Sequence, residues 1–364
     1  MRNILGDKIT LTLFGESHGP YVGATLDGII PGIEIDHEFI KKQLSKRRPS
    51  GSCETKRVEK DEYEFISGVF NNKTTGAPLT VIIPNNNVNS SDYENIKNTP
   101  RPSHADYVAH VKYDGFNDYR GGGHFSGRVT TPIVVLGSIL LKLLEEKNIK
   151  IGTHILKCLD VEDASFKNFE EEINIINNKH FPVIKDIETD LISKIENIKE
   201  KNDSIGGILQ TAVINLPVGL GEPWFSSVEG KISNAVFSIG AVKGIEFGEG
   251  FNFANYTGSK LNDEFEIVNN KVVTKTNNNG GINGGITNGM PVVFNTVIKP
   301  TPSIAVVQNT VDLVENKNTT INITGRHDPA IIRRIAVVID SITAFVICDL
   351  LSLRYGDNFL KFSK

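Results

Sequence analysis

Apolar and polar residues alternate over Lys8–Phe14, and its Ile, Leu and Thr content predicts a strand. A second strand is expected over Tyr21–Ile29, after the turn Gly15-Glu16-Ser17-His18-Gly19-Pro20. The period then becomes helical over Asp36–Arg48, with Asp36 as N-cap, Lys46, Arg47 and Arg48 in the last turn, and Pro49 beyond it. Phe65–Phe70 and Leu79–Ile83 read as strands joined around Gly76-Ala77-Pro78. From Pro84 to Gly127 no period is visible, and the stretch reads as one long irregular segment. Its wealth of His, Arg, Tyr and Gly favours a functional loop over a mere connection. Val134–Leu144 is apolar almost all round and predicts a centrally buried helix, opened by Thr131 as N-cap and Pro132 at its first position. Ile184, Ile187, Leu191, Ile195 and Ile198 recur at the spacing of an amphipathic surface helix. Loops are expected at Gly221-Glu222-Pro223 and over Asn277–Gly285, a helix over Ser233–Ile239, and a strand over Met290–Ile298. A last helix, with Asp328 as N-cap followed by Pro329, runs to about Leu351.

Composition narrows the classes. The 364 residues, 39% hydrophobic and 23% charged, suffice for a sizeable core, and neither a clean linker nor a fixed-period repeat divides them. Lys and Arg number 39 against 43 Asp and Glu, a net charge of −4, which argues against coating nucleic acid or an anionic membrane. Cys53, Cys158 and Cys348 are odd in number and widely spaced, so neither a disulfide framework nor a zinc site is expected. Spacings such as H-E-x-x-H are missing too, and no metal is expected. Met1–Thr10 lacks the apolar run of a signal peptide. Ala330–Leu353, the most apolar stretch, carries Arg333, Arg334, Asp340 and Asp349 and reads as a buried helix rather than a membrane span. A cytoplasmic location fits these features.

Four motifs carry candidate chemistry. Gly15-Glu16-Ser17-His18-Gly19 matches G-x-S-x-G, but a strand-like run follows it where a nucleophile elbow needs a helix. A glycine-rich hairpin turn in which Ser17 bonds backbone is one reading, and an exposed general acid at His18, held between two glycines, is the other. Arg101-Pro102-Ser103-His104 sets a second His in a polar loop beside an Arg. Arg120-Gly121-Gly122-Gly123-His124-Phe125-Ser126-Gly127-Arg128 is the strongest local signal. Glycine-rich backbone leading into a helix N-terminus suits an anion. Its spacing fits neither a P-loop nor a Rossmann turn. Gly325-Arg326-His327-Asp328-Pro329 opens the last helix, with Arg333 and Arg334 just after, and Arg suits bidentate phosphate binding. Phosphate-bearing ligands and histidine acid–base chemistry follow as a class, and the reaction does not.

The ordered set GESHG (15–19), KRRPS (46–50), RPSHADY (101–107), DYRGGGHFSGR (118–128), DSIGG (203–207), GLGEP (219–223), AVKGIEFGEGF (241–251), GGINGGI (280–286), KPTPSI (299–304) and GRHDPA (325–330) resembles the chorismate synthase family. The resemblance covers about Ile4 to Leu351. It implies an α+β fold, one domain over 1–364 with a helical core between antiparallel sheets, assembled as a homotetramer. It implies a lyase of the shikimate pathway that supplies aromatic amino acid biosynthesis. The reaction would be anti 1,4-elimination of phosphate from 5-enolpyruvylshikimate 3-phosphate to chorismate, requiring reduced FMN without net redox change.

Residue by residue, the resemblance makes His104 the acid toward the leaving phosphate and His18 the group that protonates the reduced flavin. Asp328 becomes the acidic group near the flavin that assists deprotonation. FMN contacts carry over to His124, Phe125, Ser126, Gly240, Ala241, Gly284, Lys299, Pro300, Thr301, Pro302, Ser303 and Arg326. Arg47 matches a position that binds NADP in the family, and Arg48, Arg128 and Arg334 match basic positions for the substrate's phosphate and carboxylates. His124-Phe125-Ser126 stands where many members have Arg-Ser-Ser, Gly240 where many have Asn, Cys53 where many have Arg, and Asp340 where Glu is usual. Flavin reduction by the protein's own activity, with NADPH as reductant, and reduction by an external flavin reductase both remain open. A flavin-dependent oxidoreductase acting on a phosphorylated metabolite is the competing enzyme reading.

Overall fold

The computed structural model describes residues 3–49, 51, 53–54, 61–86, 96–323 and 328–361. Two antiparallel five-stranded sheets enclose a layer of helices. The first contains β1 (Ile4–Leu5), β2 (Thr10–Gly15), β3 (Tyr21–Asp27), β4 (Glu64–Ser67) and β5 (Leu79–Pro84), in the order β1-β2-β3-β5-β4. The second contains β6 (Lys150–Cys158), β7 (Val161–Glu162), β8 (Gly207–Ile214), β9 (Val242–Phe247) and β10 (Val292–Ile298), in the order β9-β10-β8-β6-β7. The helices are α1 (His37–Arg47), α2 (Asp106–Lys112), α3 (Thr131–Glu146), α4 (Phe169–Asn178), α5 (Glu188–Glu200), α6 (Val228–Phe237) and α7 (Ile332–Tyr355).

The layer order follows from which elements lack a polar face. Alternation in β5, buried at Leu79, Val81 and Ile83, gives the first sheet one apolar side. That side meets α3, whose residues from Thr131 to Leu141 are all buried. In turn α3 packs on α7, which lies against β6 and β8 of the second sheet. With apolar residues on every side, α3 and α7 are stable only when covered on all sides. They touch closely at Gly137, where an added Cβ would stand 2.4 Å from Ser341 Cβ. Both α7 and the segment 120–146 are long and apolar enough to cross a membrane, and these stretches are 100% and 83% buried inside the molecule. The far end of α7 is tied to the start of the chain. Asp349 accepts backbone hydrogen bonds from Asp7 (3.1 Å), Lys8 (2.8 Å) and Ile9 (2.9 Å).

The expected sandwich is present, and several element boundaries are corrected. The stretch 84–127 is not structureless: it holds α2 and a tight 3-10 segment, Arg120–Phe125. The buried helix starts one residue earlier than its expected cap. Thr130 is the N-cap, and the Thr131 hydroxyl bonds Arg128 O instead. Asp328 is not the cap of α7. α7 starts at Ile332 with Ile331 as its N-cap, and Pro329 O upstream accepts from Ile205 N–H at 2.8 Å. α6 begins at Val228, behind the Ser227 cap, and Ile184 precedes α5.

Candidate active site

The β2–β3 turn is a hairpin turn. Ser17 Oγ donates to the carbonyls of Arg120 (3.3 Å) and Gly121 (3.0 Å), and Ser17 N–H to Gly123 O (3.1 Å). Strand–turn–strand geometry removes the hydrolase reading, since no helix follows the serine. The same contacts hold the 120–130 segment against the turn. Gly121, Gly122 and Gly123 have φ of 60°, 85° and 54°, which glycine alone adopts cheaply. Their missing side chains make room for the histidines. A Cβ on Gly121 would lie 2.4 Å from His18 Cδ2, and one on Gly122 would lie 3.4 Å from His104 Cε1. Both histidines therefore face one glycine ribbon.

His104 is oriented by a carboxylate. Its Nδ1 lies 2.6 Å from Asp106 Oδ1 and 3.0 Å from Arg101 Nη2. Burial alone would raise the Asp106 carboxyl, but hydrogen bonds from Arg101 and His104 hold it well below the usual carboxylate range. An ionised Asp106 therefore accepts a hydrogen bond from Nδ1–H, which fixes the ring and leaves Nε2 for chemistry. Arg101 completes the clamp, with Nε and Nη2 on Asp106 (2.8 and 2.9 Å) and Nη1 donating to Ser303 Oγ (2.9 Å).

Ser303 belongs to the turn Lys299-Pro300-Thr301-Pro302-Ser303, which closes the other wall. Lys299 Nζ donates to Ser103 O at 2.6 Å, and Lys299 N–H to Ala241 O at 2.9 Å. Burial, with Lys243 nearby, lowers the Lys299 pKa. Ser204 Oγ donates to Thr301 O at 2.7 Å, while the buried Thr301 Oγ1 has no partner among the described residues. Ser103 and Ala241 both sit in the left-handed region, at φ 58° and 75°, a strain that collects at functional sites. Gly240 joins the wall, since a Cβ there would lie 4.0 Å from Phe125 O. His124 Nδ1 is 2.8 Å from Gly15 O, so His124 braces the turn.

At the other end of the ribbon lies a cluster of arginines. Arg47 donates to Gly127 O (2.6 Å) and Thr130 Oγ1 (3.1 Å). Arg128 pairs with Asp61, donates to Pro84 O (3.1 Å), and reaches Asn85 Oδ1 (3.1 Å). Asn85 in turn donates to the carbonyls of Glu16 (2.9 Å) and Gly19 (2.8 Å), linking this cluster to the His18 turn. Asp61, its side chain 1% exposed, also faces Arg48 (3.6 Å) and Arg47 (4.0 Å). Arg334 pairs with Asp328 and donates to Arg47 O at 2.7 Å.

A family model described as chorismate synthase matches residues 9–352. The chain belongs to the chorismate synthase family. It is 45% identical to the chorismate synthase of Thermococcus kodakarensis over 349 residues, covering 96% of this chain and 97% of that one. It is 42% identical to the enzyme of Korarchaeum cryptofilum, covering 95% and 96%. A crystal structure of chorismate synthase superposes with a TM-score of 0.76 at 28% identity, covering 96% of this chain and 94% of the other.

Against the residues expected from chorismate synthase, the structure gathers His18, His104, His124, Phe125, Ser126, Gly240, Ala241 and Lys299–Ser303 around one loop. Arg47, Arg48, Arg128 and Arg334 gather beside it. Asp328 stands with the arginines through Arg334. Gly284, in the turn between Ile282–Asn283 and Ile286–Thr287, has open space around it and no contact tying it to the histidines. Arg326 lies outside the described residues. Arg333, expected near phosphate, is buried against Glu54 instead. The sequence set Arg101 beside His104 without a role for it, and Asp106, two residues beyond His104, was missed. Sequence reasoning also missed Asp61 and Asn85, which no local pattern marks.

Proposed function

We propose that this chain catalyses the anti 1,4-elimination of phosphate from 5-enolpyruvylshikimate 3-phosphate, giving chorismate, with reduced FMN as cofactor. The observation that carries the proposal is the pair His18 and His104 on one glycine ribbon, with an arginine cluster at the ribbon's far end. The elimination breaks a C–O bond to phosphate and a C–H bond and forms a C=C bond. It needs a proton donor at the phosphate, cations around it and a proton acceptor.

The walls fit a flavin phosphate. They hold a buried hydroxyl at Thr301 with no partner among the described residues, a glycine ribbon that any Cβ would fill, and two neighbouring cations, Lys299 and Lys243. Ser126, Phe125, Gly240, Ala241, the 299–303 turn and Arg326 would hold it, with Gly284 and His124 in supporting places. When bound, the reduced flavin supplies electron density that eases bond cleavage. The protein's own groups do the rest. His104, fixed by Asp106, holds a proton toward the leaving phosphate oxygen. His18 holds one toward the flavin. Asp328, held by Arg334, assists the removal of the proton from carbon. Arg47, Arg48 and Arg128 meet phosphate and carboxylates, and Arg47 is where NADPH would dock if the protein reduces its own flavin. A cytoplasmic setting suits three buried, unpaired cysteines.

The test is anaerobic. Protein, FMN reduced by dithionite and 5-enolpyruvylshikimate 3-phosphate are mixed, and phosphate and chorismate absorbance are followed. Many turnovers per flavin without further reductant support the elimination. One product per reductant consumed would replace it with a hydride-transferring oxidoreductase.

A further inference from the structure

Two of the arginines proposed to meet phosphate, Arg47 and Arg48, lie at the C-terminal end of α1, where a helix leaves its last carbonyls without intrahelical donors. In this chain α7 supplies those donors. Arg333 Nη1 donates to Lys46 O (2.6 Å), Arg333 Nη2 to Arg48 O (2.7 Å), and Arg334 Nε to Arg47 O (2.7 Å). Three consecutive carbonyls are thus gripped by two guanidinium groups. Arg333 is itself fixed by Glu54 in a fork, Nε to Oε1 and Nη2 to Oε2, both 2.6 Å, with both side chains 2% exposed. The Phe181 ring covers the guanidinium at 5.6 Å. Lys199 Nζ donates to Glu54 O at 3.0 Å, anchoring the segment that carries the carboxylate.

This arrangement exceeds what fold stability asks. A buried ion pair repays its desolvation poorly, and apolar residues of similar volume often serve as well or better. What apolar residues cannot do is hold Lys46 O and Arg48 O. Those carbonyls bracket Arg47, and Arg48 O is the last backbone atom before the chain turns away at Pro49. Arg47 and Arg48 must also be kept from collapsing fully onto Asp61, which has only two oxygens and already pairs with Arg128. We propose that the Glu54–Arg333 pair is a positioning device that holds the end of α1 so that Arg48, its side chain 40% exposed beside the buried Arg47, presents an anion site for the phosphorylated substrate. Arg333 acts through the backbone and does not touch the substrate. The inference rests on the proposed function for the identity of the anion and on geometry for the positioning.

The test uses the full chain and four variants: Arg333→Met, Glu54→Leu, the double variant, and Arg333→Lys. Each single neutral variant leaves one charge buried without its partner and should lower Tm. The double variant should recover most of the Tm lost by either single variant. Its KM for 5-enolpyruvylshikimate 3-phosphate should nevertheless stay raised by roughly 10-fold, with kcat within about 3-fold, the signature of lost binding rather than lost chemistry. Inorganic phosphate, titrated by calorimetry, should bind the double variant correspondingly more weakly. Arg333→Lys keeps the charge but cannot span two carbonyls and a carboxylate, so it should recover part of both readouts.

A double variant with wild-type Tm, KM and phosphate affinity would overturn the positioning role. If it does not fold, Arg333→Lys decides: unchanged KM and phosphate affinity there overturn the role equally. If wild type makes no chorismate, the proposed reaction falls while the phosphate titration still tests the clamp. Wild type that binds no phosphate would sink the anion site itself.

Discussion

His104 shows how a single side chain acquires a task from its neighbours. Its ring is ordinary until Asp106 takes one nitrogen, and Asp106 stays ionised because Arg101 grips it with both arms of its fork. Replacing His104 by Ala should lower turnover by roughly 100-fold or more while FMN affinity stays near normal, measured by steady-state assay and flavin titration. Unchanged turnover would remove His104 from the reaction. Asp106→Asn should cost turnover through ring orientation, by roughly 10- to 100-fold. It also has a pH signature. Asp106 titrates below its unfolded value, so its stabilisation is present at neutral pH and above the unfolded carboxylate range. It is lost only as pH falls through the depressed folded value. The Tm gap between wild type and Asp106→Asn should therefore hold from pH 8 to about 5 and narrow only in stronger acid. A gap that closes near neutrality would show that another group carries the effect.

At the scale of elements, the ribbon 120–130 and the α3–α7 contact matter most. Gly121→Ala sets a Cβ 2.4 Å from the His18 ring at a φ of 60°, so it should displace the ring and weaken both flavin binding and turnover. Gly137→Ala presses on Ser341 in a packed core and should destabilise by about 1–3 kcal/mol, visible as a lower Tm with the site chemistry intact once folded. Elements with a clear period were legible in the sequence. The α1 cap at Asp36 accepts from Phe39 N–H as expected, and β2, β3, β5 and the buried helices lie within a few residues of their expected places. β6 and β8 were not. Their inner faces are buried on both sides, as in β8 from Leu209 to Ile214, so alternation disappears. The His-rich stretch hid α2 because a seven-residue helix spans only two turns and lacks a side-chain cap. Motif residues were legible as a set, whereas Asp61 and Asn85 act across long separations and leave no local trace.

The whole molecule presents apolar surface that a lone chain does not need. Trp224, Phe225 and Phe251 are 86%, 100% and 84% exposed. The homotetramer implied by the family resemblance is tested by light scattering, with these three side chains as candidate contacts. Trp224→Glu with Phe225→Glu should shift the population toward smaller species, and an unchanged mass would place the contacts elsewhere. Within one chain, Asp349 joins residues separated by 342, 341 and 340 positions. During synthesis at roughly 5–20 residues per second, the loop at 7–9 therefore waits tens of seconds for its acceptor to leave the ribosome. Until then the amides of Asp7, Lys8 and Ile9 lack this acceptor, so the entrance to β2 can be closed only after α7 has been made.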